Sequence, residues 1–423
     1  MGVIPEKRLL IEGGRRLDGE LRLQGAKNSA LPILTAAFLT GGISEIHNCP
    51  DLTDVDAAIR ILRHLGCRVS RQEGVVTVDA TQAADATVPD ELMREMRSSI
   101  VFLGAILARC GSARVCFPGG CELGPRPVDL HLAALRRMGA VIREDHGSLD
   151  CTVPAGRLHG ANIAFSFPSV GATENVMIAA ATAEGRTLLT NAAREPEILD
   201  LARYLTACGA RIDGAGEGVI TIEGVRSLHG ARHAVIGDRI AAATYLAAAA
   251  VTGGRCSLTG CDPVALASVL PIFEEMGCRL RIEGRTVALE GGGRLRAPRH
   301  IRTMPYPGFP TDAQAPFMAM SAVAEGHTVF VENIFENRYR HVSELCRMGA
   351  HIKVEGRVAV VEGVPSLQSA EVEASDLRGG AALIVAGLCA DGETAVAGMH
   401  HVYRGYEDIE GMLRALGASV RTG

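Results

Sequence analysis

The feature of this sequence that most constrains its fold is a segment that recurs six times along the chain. In each copy an amphipathic helix is followed by Gly-Ala, Gly-Cys or a similar pair of residues that opens a strand, as in LRHLGCRVS and LRRMGAVIR. The glycines that mark these endings lie 73, 70, 68, 72 and 68 residues apart, at Gly66, Gly139, Gly209, Gly277, Gly349 and Gly417. Because six copies account for nearly all 423 residues, the fold must be built from one repeated unit.

The order of elements within a copy follows from hydrophobic periodicity and turn residues. We expect strand, helix, strand, helix, strand, strand, with each marker glycine in the left-handed conformation that ends a helix. The first helix of each copy is apolar on all sides, as in NVMIAAATA and AAATYLAAAAV, which predicts a buried position. The second helix is amphipathic, as in ILDLARYLTAC, so one of its faces should meet solvent.

The two ends of the chain indicate how the copies are grouped. The sixth copy stops at GASVRTG, one strand short, while the N-terminal segment supplies an extra strand in RLLIEG. We therefore expect an α/β fold of two similar domains, each made of three βαβαββ units around buried helices. The first domain should span residues 23–235, and the second should combine residues 1–22 with 236–423. An open solenoid is the alternative, but pairing of the two termini favours closed domains.

Composition narrows the class of partner. The formal net charge is −5 without any block of like charges, so nothing indicates a nucleic acid or an anionic membrane as a partner. The purest apolar run, residues 240–251, is well short of the ~20 residues that span a bilayer, and the N-terminus lacks a signal-peptide core. The twelve cysteines are scattered without zinc-ligand spacing. We expect a cytoplasmic protein with small-molecule substrates, and most cysteines as buried thiols.

Polar and charged residues recur at the starts of the apolar helices. They are Lys27-Asn28, Arg97-Ser98-Ser99, Gly171-Ala172-Thr173, Asp238-Arg239, Thr311-Asp312 and Asp376-Leu377-Arg378. Helix N-termini present unpaired N–H groups and a positive dipole end, which favour anions. If the helices of each domain run alike, these residues gather in one cleft and predict a polyanion site. Ordinary helix capping is the alternative interpretation of any single position.

Two residues are unusual for this chain. Lys27 is one of only three lysines among 43 basic residues, and its compact charge can bind phosphate in a way that arginine does not copy. Cys121 stands at the tip of the Gly- and Pro-rich segment PGGCELGPRPVDLH. A thiol on such a loop near arginines is a candidate acid, base or nucleophile, although a lone cysteine is more often inert. His131 is a candidate partner for Cys121, but a capping or core role is favoured.

Eight motifs in order match a known family across nearly the full chain. They are GAKNSALPIL, the PGGC loop with RPVDLH, SVGATEN, NAAREPEI, GFPTDAQAP, FENRYRHVSEL, DLRGGAAL and HHVYRGYEDIE. With these motifs the chain resembles the UDP-N-acetylglucosamine 1-carboxyvinyltransferases of the enolpyruvyl transferase family. The resemblance implies two inside-out α/β barrels with the active site in the interdomain cleft. It also implies transfer of the enolpyruvyl group of phosphoenolpyruvate to the 3-hydroxyl of UDP-N-acetylglucosamine through a tetrahedral ketal, without a cofactor or metal, as the first committed step of peptidoglycan synthesis.

The resemblance assigns roles motif by motif. It implies that phosphoenolpyruvate is held by Lys27, Asn28, Arg126 and Arg404, with Lys27 and Arg404 counted as catalytic. Cys121 becomes the proton donor and the site of a covalent adduct, including alkylation by fosfomycin-type epoxides, and Asp312 takes the hydroxyl proton. The nucleotide sugar is assigned to Arg97, Arg126, Pro127, Val128, Asp129, Leu130, Ser169, Val170, Gly171, Thr311, Asp312 and Ile334. Arg338 and Arg378 complete a basic lining.

Two departures and three alternatives accompany this assignment. Ala241 stands where a family glutamate is expected, and Phe167 where some members carry a lysine, which affects affinity rather than the reaction. The related shikimate-3-phosphate enolpyruvyl transferases use the same donor but lack the PGGC loop. A noncatalytic repeat scaffold leaves the charges at the helix starts unexplained. A Cys–His hydrolase rests on Cys121 and His131 alone, and the oligomeric state is not indicated by the sequence.

Overall fold

The computed structural model describes residues 7–119 and 128–423, which divide into two compact units. The terminal unit contains residues 7–24 and 237–423, and the inserted unit contains residues 25–119 and 128–236. Each unit has its own hydrophobic core.

The first three copies follow one another in the sequence. The chain begins with β1 (Leu9–Glu12) and β2 (Asp18–Arg22), and the first copy adds α1 (Lys27–Leu39), β3 (Ile43–His47), α2 (Thr53–His64), β4 (Arg68–Gln72) and β5 (Val75–Asp79). The second copy has α3 (Asp90–Glu95), a 3₁₀ helix (Arg97–Val101), α4 (Phe102–Cys110), β6 (Ser112–Cys116), α5 (Asp129–Arg137), β7 (Val141–Asp145) and β8 (Ser148–Thr152). The third copy has β9 (Asn162–Ala164), α6 (Val170–Ala180), β10 (Arg186–Thr190), α7 (Pro196–Ala207), β11 (Arg211–Asp213) and β12 (Val219–Glu223).

The last three copies repeat the same order. The fourth has β13 (Arg232–Ala234), α8 (Arg239–Val251), β14 (Arg255–Thr259), a 3₁₀ helix (Val264–Leu266), α9 (Leu270–Glu275), β15 (Arg279–Glu283) and β16 (Thr286–Glu290). The fifth has β17 (His300–Arg302), α10 (Thr311–Ala322), β18 (His327–Val331), α11 (Val342–Arg347), β19 (His351–Glu355) and β20 (Val358–Glu362). The sixth has β21 (Glu371–Glu373), α12 (Leu377–Cys389), β22 (Glu393–Ala397), α13 (Met399–Val402), α14 (Ile409–Ala415) and β23 (Ser419–Thr422).

The first long helix of every copy lies inside its unit. Helices α1, α4 and α6 contact one another in the inserted unit, and α8, α10 and α12 do so in the terminal unit. Nearly every residue of these helices is buried, because alanine, leucine and methionine cover all sides of each helix. In the terminal unit Phe317 of α10 packs between Phe273 and Phe309, with ring centroids 4.8 and 5.2 Å away in a tilted and an edge-to-face arrangement. Truncating such a ring to alanine costs about 3–5 kcal/mol.

Small sheets surround these helices. The terminal unit contains the sheets β21-β22-β1-β23, β15-β16-β14-β2 and β17-β18-β20-β19, and the inserted unit contains β11-β12-β10-β9, β13-β3-β5-β4 and β6-β8-β7. Among the described residues, the strands of each unit form three separate sheets and not one continuous hydrogen-bonded barrel. The α/β architecture expected from the repeats is therefore confirmed, with the sheets on the outside and the apolar helices within.

The sheets are completed by strands from distant parts of the chain. Strand β1 lies antiparallel between β22 and β23, with Leu9 opposite both Val396 and Thr422, so the N-terminal strand completes the sixth copy as predicted. Strand β2 pairs in parallel with β14 of the fourth copy, and β13 pairs in parallel with β3 of the first copy. Strand β2 precedes the point where the chain enters the inserted unit, and β13 precedes the point where it leaves. Each of these strands therefore completes a sheet of a copy that is distant in the sequence.

The six marker glycines confirm the predicted helix ends. All of them have φ between 91° and 101°, the left-handed region that side chains with a Cβ rarely adopt. The second copy departs from the predicted element order. Its first strand is reduced to a single parallel bridge between Thr87 and Arg114, and its apolar helix begins as the 3₁₀ turn at Arg97.

Candidate active site

Asp312 and two arginines form an ion-paired network at the start of α10 in the terminal unit. Arg338 Nη2 donates to Asp312 Oδ1 at 2.8 Å, and Arg378 Nη2 donates to Asp312 Oδ2 at 3.1 Å. The arginine side chains are only 2% and 4% exposed, whereas that of Asp312 is 26% exposed. Two buried guanidinium groups therefore hold a carboxylate that still reaches solvent, through charge-assisted hydrogen bonds.

Arg378 is fixed from a second side by Tyr406. Its Nη1 donates to the Tyr406 hydroxyl at 3.3 Å, and that hydroxyl lies 2.8 Å from Thr244 Oγ1 on α8. Burial works against the charge of Arg378, but Asp312 outweighs it and raises the pKa of the guanidinium above its ordinary value. Arg378 is consequently a permanent, rigid cation that joins α8, α10 and α12.

A buried glutamate joins two of the residues assigned to the nucleotide sugar. Thr311 Oγ1 donates to Glu332 Oε2 at 3.0 Å, while the backbone N–H groups of Ile334 and Phe335 donate to Glu332 Oε1 at 2.8 and 2.9 Å. Because Glu332 is only 1% exposed, water cannot solvate its carboxylate, and these three donors stabilise it instead. The Arg338 guanidinium lies over the Phe335 ring at 5.5 Å, which ties the segment to the Asp312 network.

Arg404 lies half-buried on the segment between α13 and α14. The side chain of Gln24, just after β2, holds this segment on both sides of Arg404. Its Nε2 donates to the Gly405 carbonyl at 3.1 Å, and its Oε1 accepts from the Glu407 N–H at 2.9 Å. Gln24, just after β2, therefore fixes the backbone that carries Arg404.

Lys27 opens α1 in the inserted unit and is paired with Asp54. The distance from Lys27 Nζ to Asp54 Oδ2 is 2.6 Å, and the two side chains are 11% and 5% exposed. Asp54 lies in the first turn of α2, where the helix dipole stabilises a negative charge. Asn28 follows Lys27 within the first turn of α1, so the cation and the amide lie on one helix end.

The start of α6 carries the residues Ser169, Val170 and Gly171. Ser169 is the N-cap, and its hydroxyl accepts from the Ala172 N–H at 3.4 Å. Thr173 Oγ1 donates to the Ser169 carbonyl at 2.8 Å and accepts from the Ala193 N–H at 3.0 Å, which anchors this turn to the NAAREPEI segment. Arg97 begins the 3₁₀ turn before α4, and Val128, Asp129 and Leu130 begin α5.

His131 is a core residue. Its Nδ1 lies 3.0 Å from Asn175 Nδ2, and Asn175 also donates to the Ile100 carbonyl and accepts from the Gly104 N–H. Burial lowers the pKa of His131 to about 4, so the ring is neutral near neutral pH. A satisfied, neutral imidazole in the core supports the structural role that the sequence favoured over a Cys–His dyad.

Three of the predicted site residues, Cys121, Arg126 and Pro127, lie outside the described residues, so their assigned roles stay predictions. The eleven described cysteines are all free thiols, and eight of them are buried. Burial raises the pKa of Cys151, Cys256 and Cys261 to about 12. These thiols are therefore poor nucleophiles, as expected for small buried side chains.

Comparison with known proteins identifies the family. The family model described as EPSP synthase (3-phosphoshikimate 1-carboxyvinyltransferase) matches residues 11–413. The chain belongs to the enolpyruvyl transferase family. Within this family, a protein from Caldanaerobacter subterraneus named UDP-N-acetylglucosamine 1-carboxyvinyltransferase 2 is 48% identical over 97% of this chain and 98% of its own length.

Further members of the family agree with this placement. A protein from Symbiobacterium thermophilum named UDP-N-acetylglucosamine 1-carboxyvinyltransferase 1 is 50% identical over 99% of this chain and 96% of its own length. Among solved structures, the enolpyruvyl transferase NikO from Streptomyces tendae superposes with a TM-score of 0.89 at 28% identity, covering 99% of each chain. The predicted family and α/β fold are thus confirmed for this enolpyruvyl transferase.

The predicted site residues of this enolpyruvyl transferase fall into two sets. The structure brings Asp312, Arg338 and Arg378 into direct contact, and links Thr311 and Ile334 through Glu332, all in the terminal unit with Arg404. The other described set belongs to the inserted unit and consists of Lys27, Asn28, Arg97, Val128, Asp129, Leu130, Ser169, Val170 and Gly171.

Sequence reasoning missed the buried partners of these residues. Asp54, Glu332 and Tyr406 carry no pattern that separates them from ordinary surface or core residues. Two of the helix-start aspartates, Asp238 and Asp376, turned out to cap α8 and α12. No helix in the described chain is both long and apolar enough to cross a membrane. The described residues also contain no cluster of three or more histidine, cysteine or acidic side chains arranged to hold a metal.

Proposed function

We propose that this chain transfers the enolpyruvyl group of phosphoenolpyruvate to the 3-hydroxyl of UDP-N-acetylglucosamine and releases phosphate. The observation that carries the proposal is the partly exposed Asp312 held by two buried arginines, in a chain that is 48–50% identical to relatives named for this acceptor. The reaction is the first committed step of peptidoglycan synthesis. The free thiols of the described cysteines support a reducing, cytoplasmic location.

The donor carries a phosphate and a carboxylate, and both need cationic partners. We assign Lys27, Asn28, Arg126 and Arg404 to phosphoenolpyruvate. Asp54 orients the Lys27 ammonium at 2.6 Å, and because an ammonium has three N–H donors it can bind phosphate in the same position. Arg404 offers a planar fork of donors that suits a carboxylate or phosphate.

We assign the nucleotide sugar to residues from both sets of predicted site residues, one in each unit. In the inserted unit these are Arg97, Arg126, Pro127, Val128, Asp129, Leu130, Ser169, Val170 and Gly171. In the terminal unit they are Thr311, Asp312 and Ile334, whose positions relative to one another are set by Glu332 and the two arginines. Backbone N–H groups at the start of α6 support binding of an anionic diphosphate.

The chemistry proceeds by addition and elimination. Asp312 accepts the proton of the sugar 3-hydroxyl as the hydroxyl oxygen forms a bond to C2 of phosphoenolpyruvate. At the same time Cys121 delivers a proton to the methylene carbon of phosphoenolpyruvate. This step forms a tetrahedral ketal. Loss of a proton from the new methyl group restores the double bond as the C2–O bond to phosphate breaks, so the products are the enolpyruvyl ether and inorganic phosphate. Arg338 and Arg378 fix Asp312 throughout.

Phosphate release with different acceptors tests the proposal. Phosphoenolpyruvate with UDP-N-acetylglucosamine should release one phosphate for each enolpyruvyl ether formed, whereas shikimate 3-phosphate should release none. Phosphate release with shikimate 3-phosphate and not with UDP-N-acetylglucosamine would instead identify the chain as a shikimate-3-phosphate enolpyruvyl transferase. The absence of release with either acceptor would favour a noncatalytic scaffold.

The assignment of Cys121 has a separate test. Fosfomycin should inactivate the protein and leave one adduct, located on Cys121 by peptide mapping. The matched control is Cys346→Ser, because Cys346 is the described cysteine that is exposed to solvent. Cys121→Asp should escape the adduct and keep activity with a lower pH optimum, since a carboxylic acid can also donate the proton. An adduct on Cys346, or a Cys121→Asp variant that is inactive at every pH, would overturn the assignment.

A further inference from the structure

A cluster of buried polar atoms without hydrogen-bond partners lies next to the Asp312 network. Within the described chain these atoms are His341 Nδ1 and Nε2, Asp376 Oδ2, Arg338 Nε and Arg378 Nε. The four residues are between 1% and 9% exposed, so bulk water does not satisfy them. Each buried polar atom left without a partner costs about 1–3 kcal/mol. Five such atoms at one place require an explanation.

The cluster is organised around Gly379 on α12. Asp376 caps this helix with Oδ1, which accepts from the N–H groups of Arg378 and Gly379 at 3.0 Å each. Its second oxygen, Oδ2, remains over Gly379. A methyl group on Gly379 would lie 2.8 Å from Asp376 Oδ2 and 3.0 Å from His341 Cβ. The carboxylate oxygen and the His341 side chain therefore both lie close against Gly379, where a side chain would force one of them to move.

The unpartnered atoms include both donors and acceptors, which one water molecule can join. Burial, together with the charge of Arg338, lowers the pKa of His341 to about 4, although the charge of Asp376 and the backbone of Arg338 oppose this shift, so the imidazole is neutral near neutral pH. A neutral imidazole has one donor and one acceptor, a carboxylate oxygen accepts, and the arginine Nε atoms donate. Buried water typically makes about three hydrogen bonds to such groups.

We propose that ordered water between His341 and Asp376 completes this cluster, and that His341 is a positioning residue for Arg338 and Arg378. Asp376 fixes the start of the helix that carries Arg378, and His341 interacts electrostatically with both Asp376 and Arg338. Through them the imidazole and its water set the angle at which the two guanidinium groups hold Asp312. The kinetic part of this inference rests on the proposed function, whereas the water site does not.

A purely structural role for His341 does not fit its surroundings. Replacing a buried, poorly satisfied polar side chain by an apolar one of similar volume is often neutral or stabilising. If stability alone mattered, leucine would serve better at this position. A costly polar group beside the charges of a site is expected where it orients those charges.

A high-resolution crystal structure tests the water site directly, whatever the substrate proves to be. It should show density for ordered water within hydrogen-bonding distance of both His341 and Asp376 Oδ2. A dry cluster in which His341 bonds directly to protein groups would overturn the proposal.

The positioning role is tested by His341→Leu and His341→Asn, assayed with UDP-N-acetylglucosamine as acceptor. His341→Leu should lower kcat on the order of 100-fold, the effect of a small displacement of catalytic groups, with little change in either KM. Its thermal unfolding temperature should be equal to or above that of the wild type. His341→Asn keeps a donor and an acceptor and should recover most of kcat.

Thr394→Val is the matched control, because Thr394 also has a buried, unpartnered hydroxyl in the terminal unit. It should leave kcat unchanged. Unaltered kcat in His341→Leu, or a loss of kcat that follows a loss of thermal stability and is not recovered by His341→Asn, would overturn the positioning role. A wild-type protein that releases no phosphate would instead overturn the proposed function.

A second pair of variants uses the close contacts at Gly379. Gly379→Ala should push Asp376 Oδ2 and His341 away from their positions and lower kcat as His341→Leu does. Gly387→Ala, on the same helix, gains the same helix propensity of about 1 kcal/mol, but its methyl group would meet only Ile11 and Thr394 side chains at 3.2–3.4 Å. It should keep full activity. Equal activity in the two alanine variants would contradict a functional role for the placement of His341 and Asp376.

Discussion

The two units each contain a buried histidine, and the two histidines have different surroundings. His131 in the inserted unit and His341 in the terminal unit are 7% and 1% exposed, and burial lowers the pKa of both to about 4. His131 is hydrogen-bonded to Asn175, which is itself satisfied. His341 instead lies beside the charges of Asp376 and Arg338 with unpartnered nitrogens. Burial alone therefore does not separate a core histidine from one that supports a site.

The charged groups of the two units differ in the same way. In the inserted unit one cation, Lys27, is paired with one buried carboxylate, Asp54. In the terminal unit two buried arginines are paired with one partly exposed carboxylate, Asp312. Removing the carboxylate from the second arrangement breaks two ion pairs of buried arginines, whereas removing Lys27 from the first breaks one ion pair. The units should respond unequally to charge deletion.

The largest effect is expected at Asp312. Asp312→Asn should lower turnover by about 10²–10⁴-fold, because an amide cannot accept the hydroxyl proton. Asp312→Ala should also destabilise the fold by about 3–5 kcal/mol, since Arg338 and Arg378 lose their counter-charge in a buried position. Phosphate-release assays and urea unfolding measure the two effects. Near-normal turnover in Asp312→Asn would show that another group takes the proton.

The next effect is expected at Lys27. Lys27→Ala should remove most activity, and Lys27→Arg should restore it only in part, because the guanidinium does not reproduce a point charge. Lys27→Ala also removes the ion pair of the buried Asp54. The double variant Lys27→Met/Asp54→Leu should recover stability but not turnover. If the double variant were active, the role of Lys27 would be structural.

Acid should unfold the protein through both histidines. Because each has a folded pKa of about 4 against about 6.5 in the unfolded chain, the stability is fully present above pH 6.5 and is lost as the pH falls toward 4. Each histidine contributes about 3 kcal/mol to this loss. His131→Leu and His341→Leu should each flatten the pH dependence of the free energy of unfolding. An unchanged slope in either variant would mean that its histidine titrates normally.

Glu174 provides a contrast within the inserted unit. Burial, with help from Glu197 and Glu195, raises its pKa well above the ordinary value, so its contribution to stability is lost as the pH rises. Its effect therefore opposes that of His131 as the pH falls. Glu174→Gln should steepen the acid loss that His131→Leu flattens, measured by urea unfolding between pH 4 and pH 7. A Glu174→Gln variant with a flatter profile would contradict this assignment.

The smallest effect distinguishes the two histidines at neutral pH. His131→Leu should cost about 1–3 kcal/mol, because it leaves the Asn175 amide with an unpaired donor. His341→Leu should cost less than this, because in the proposed arrangement the His341 ring nitrogens bond to water rather than to protein side chains. Urea unfolding at pH 7 compares the two variants. Equal losses would mean that the difference in hydrogen bonding does not affect stability.

Local patterns were enough to predict most of the fold. The spacing of the marker glycines defines six units, because only a residue that tolerates positive φ can end a helix in this way. The apolar helices identify themselves by having no polar face, and the unclaimed strand at residues 9–12 predicts its pairing with the last copy. The shortened second copy was not predicted, because its altered start depends on contacts rather than on periodicity.

The site divides along the same line. The sequence by itself determined which residues stand at the starts of the inner helices, since that follows from the order of the chain, and the resemblance assigned their roles. Only the tertiary structure decided the partners of those residues. These partners are separated from their site residues by 21 to 66 positions and meet through packing: Asp54 pairs with Lys27, Arg338 and Arg378 pair with Asp312, and Glu332 bonds to Thr311. The sequence records an aspartate or glutamate in the same way whether its carboxylate caps a helix, binds a cation or faces water. Its role depends on the residues that packing places around it.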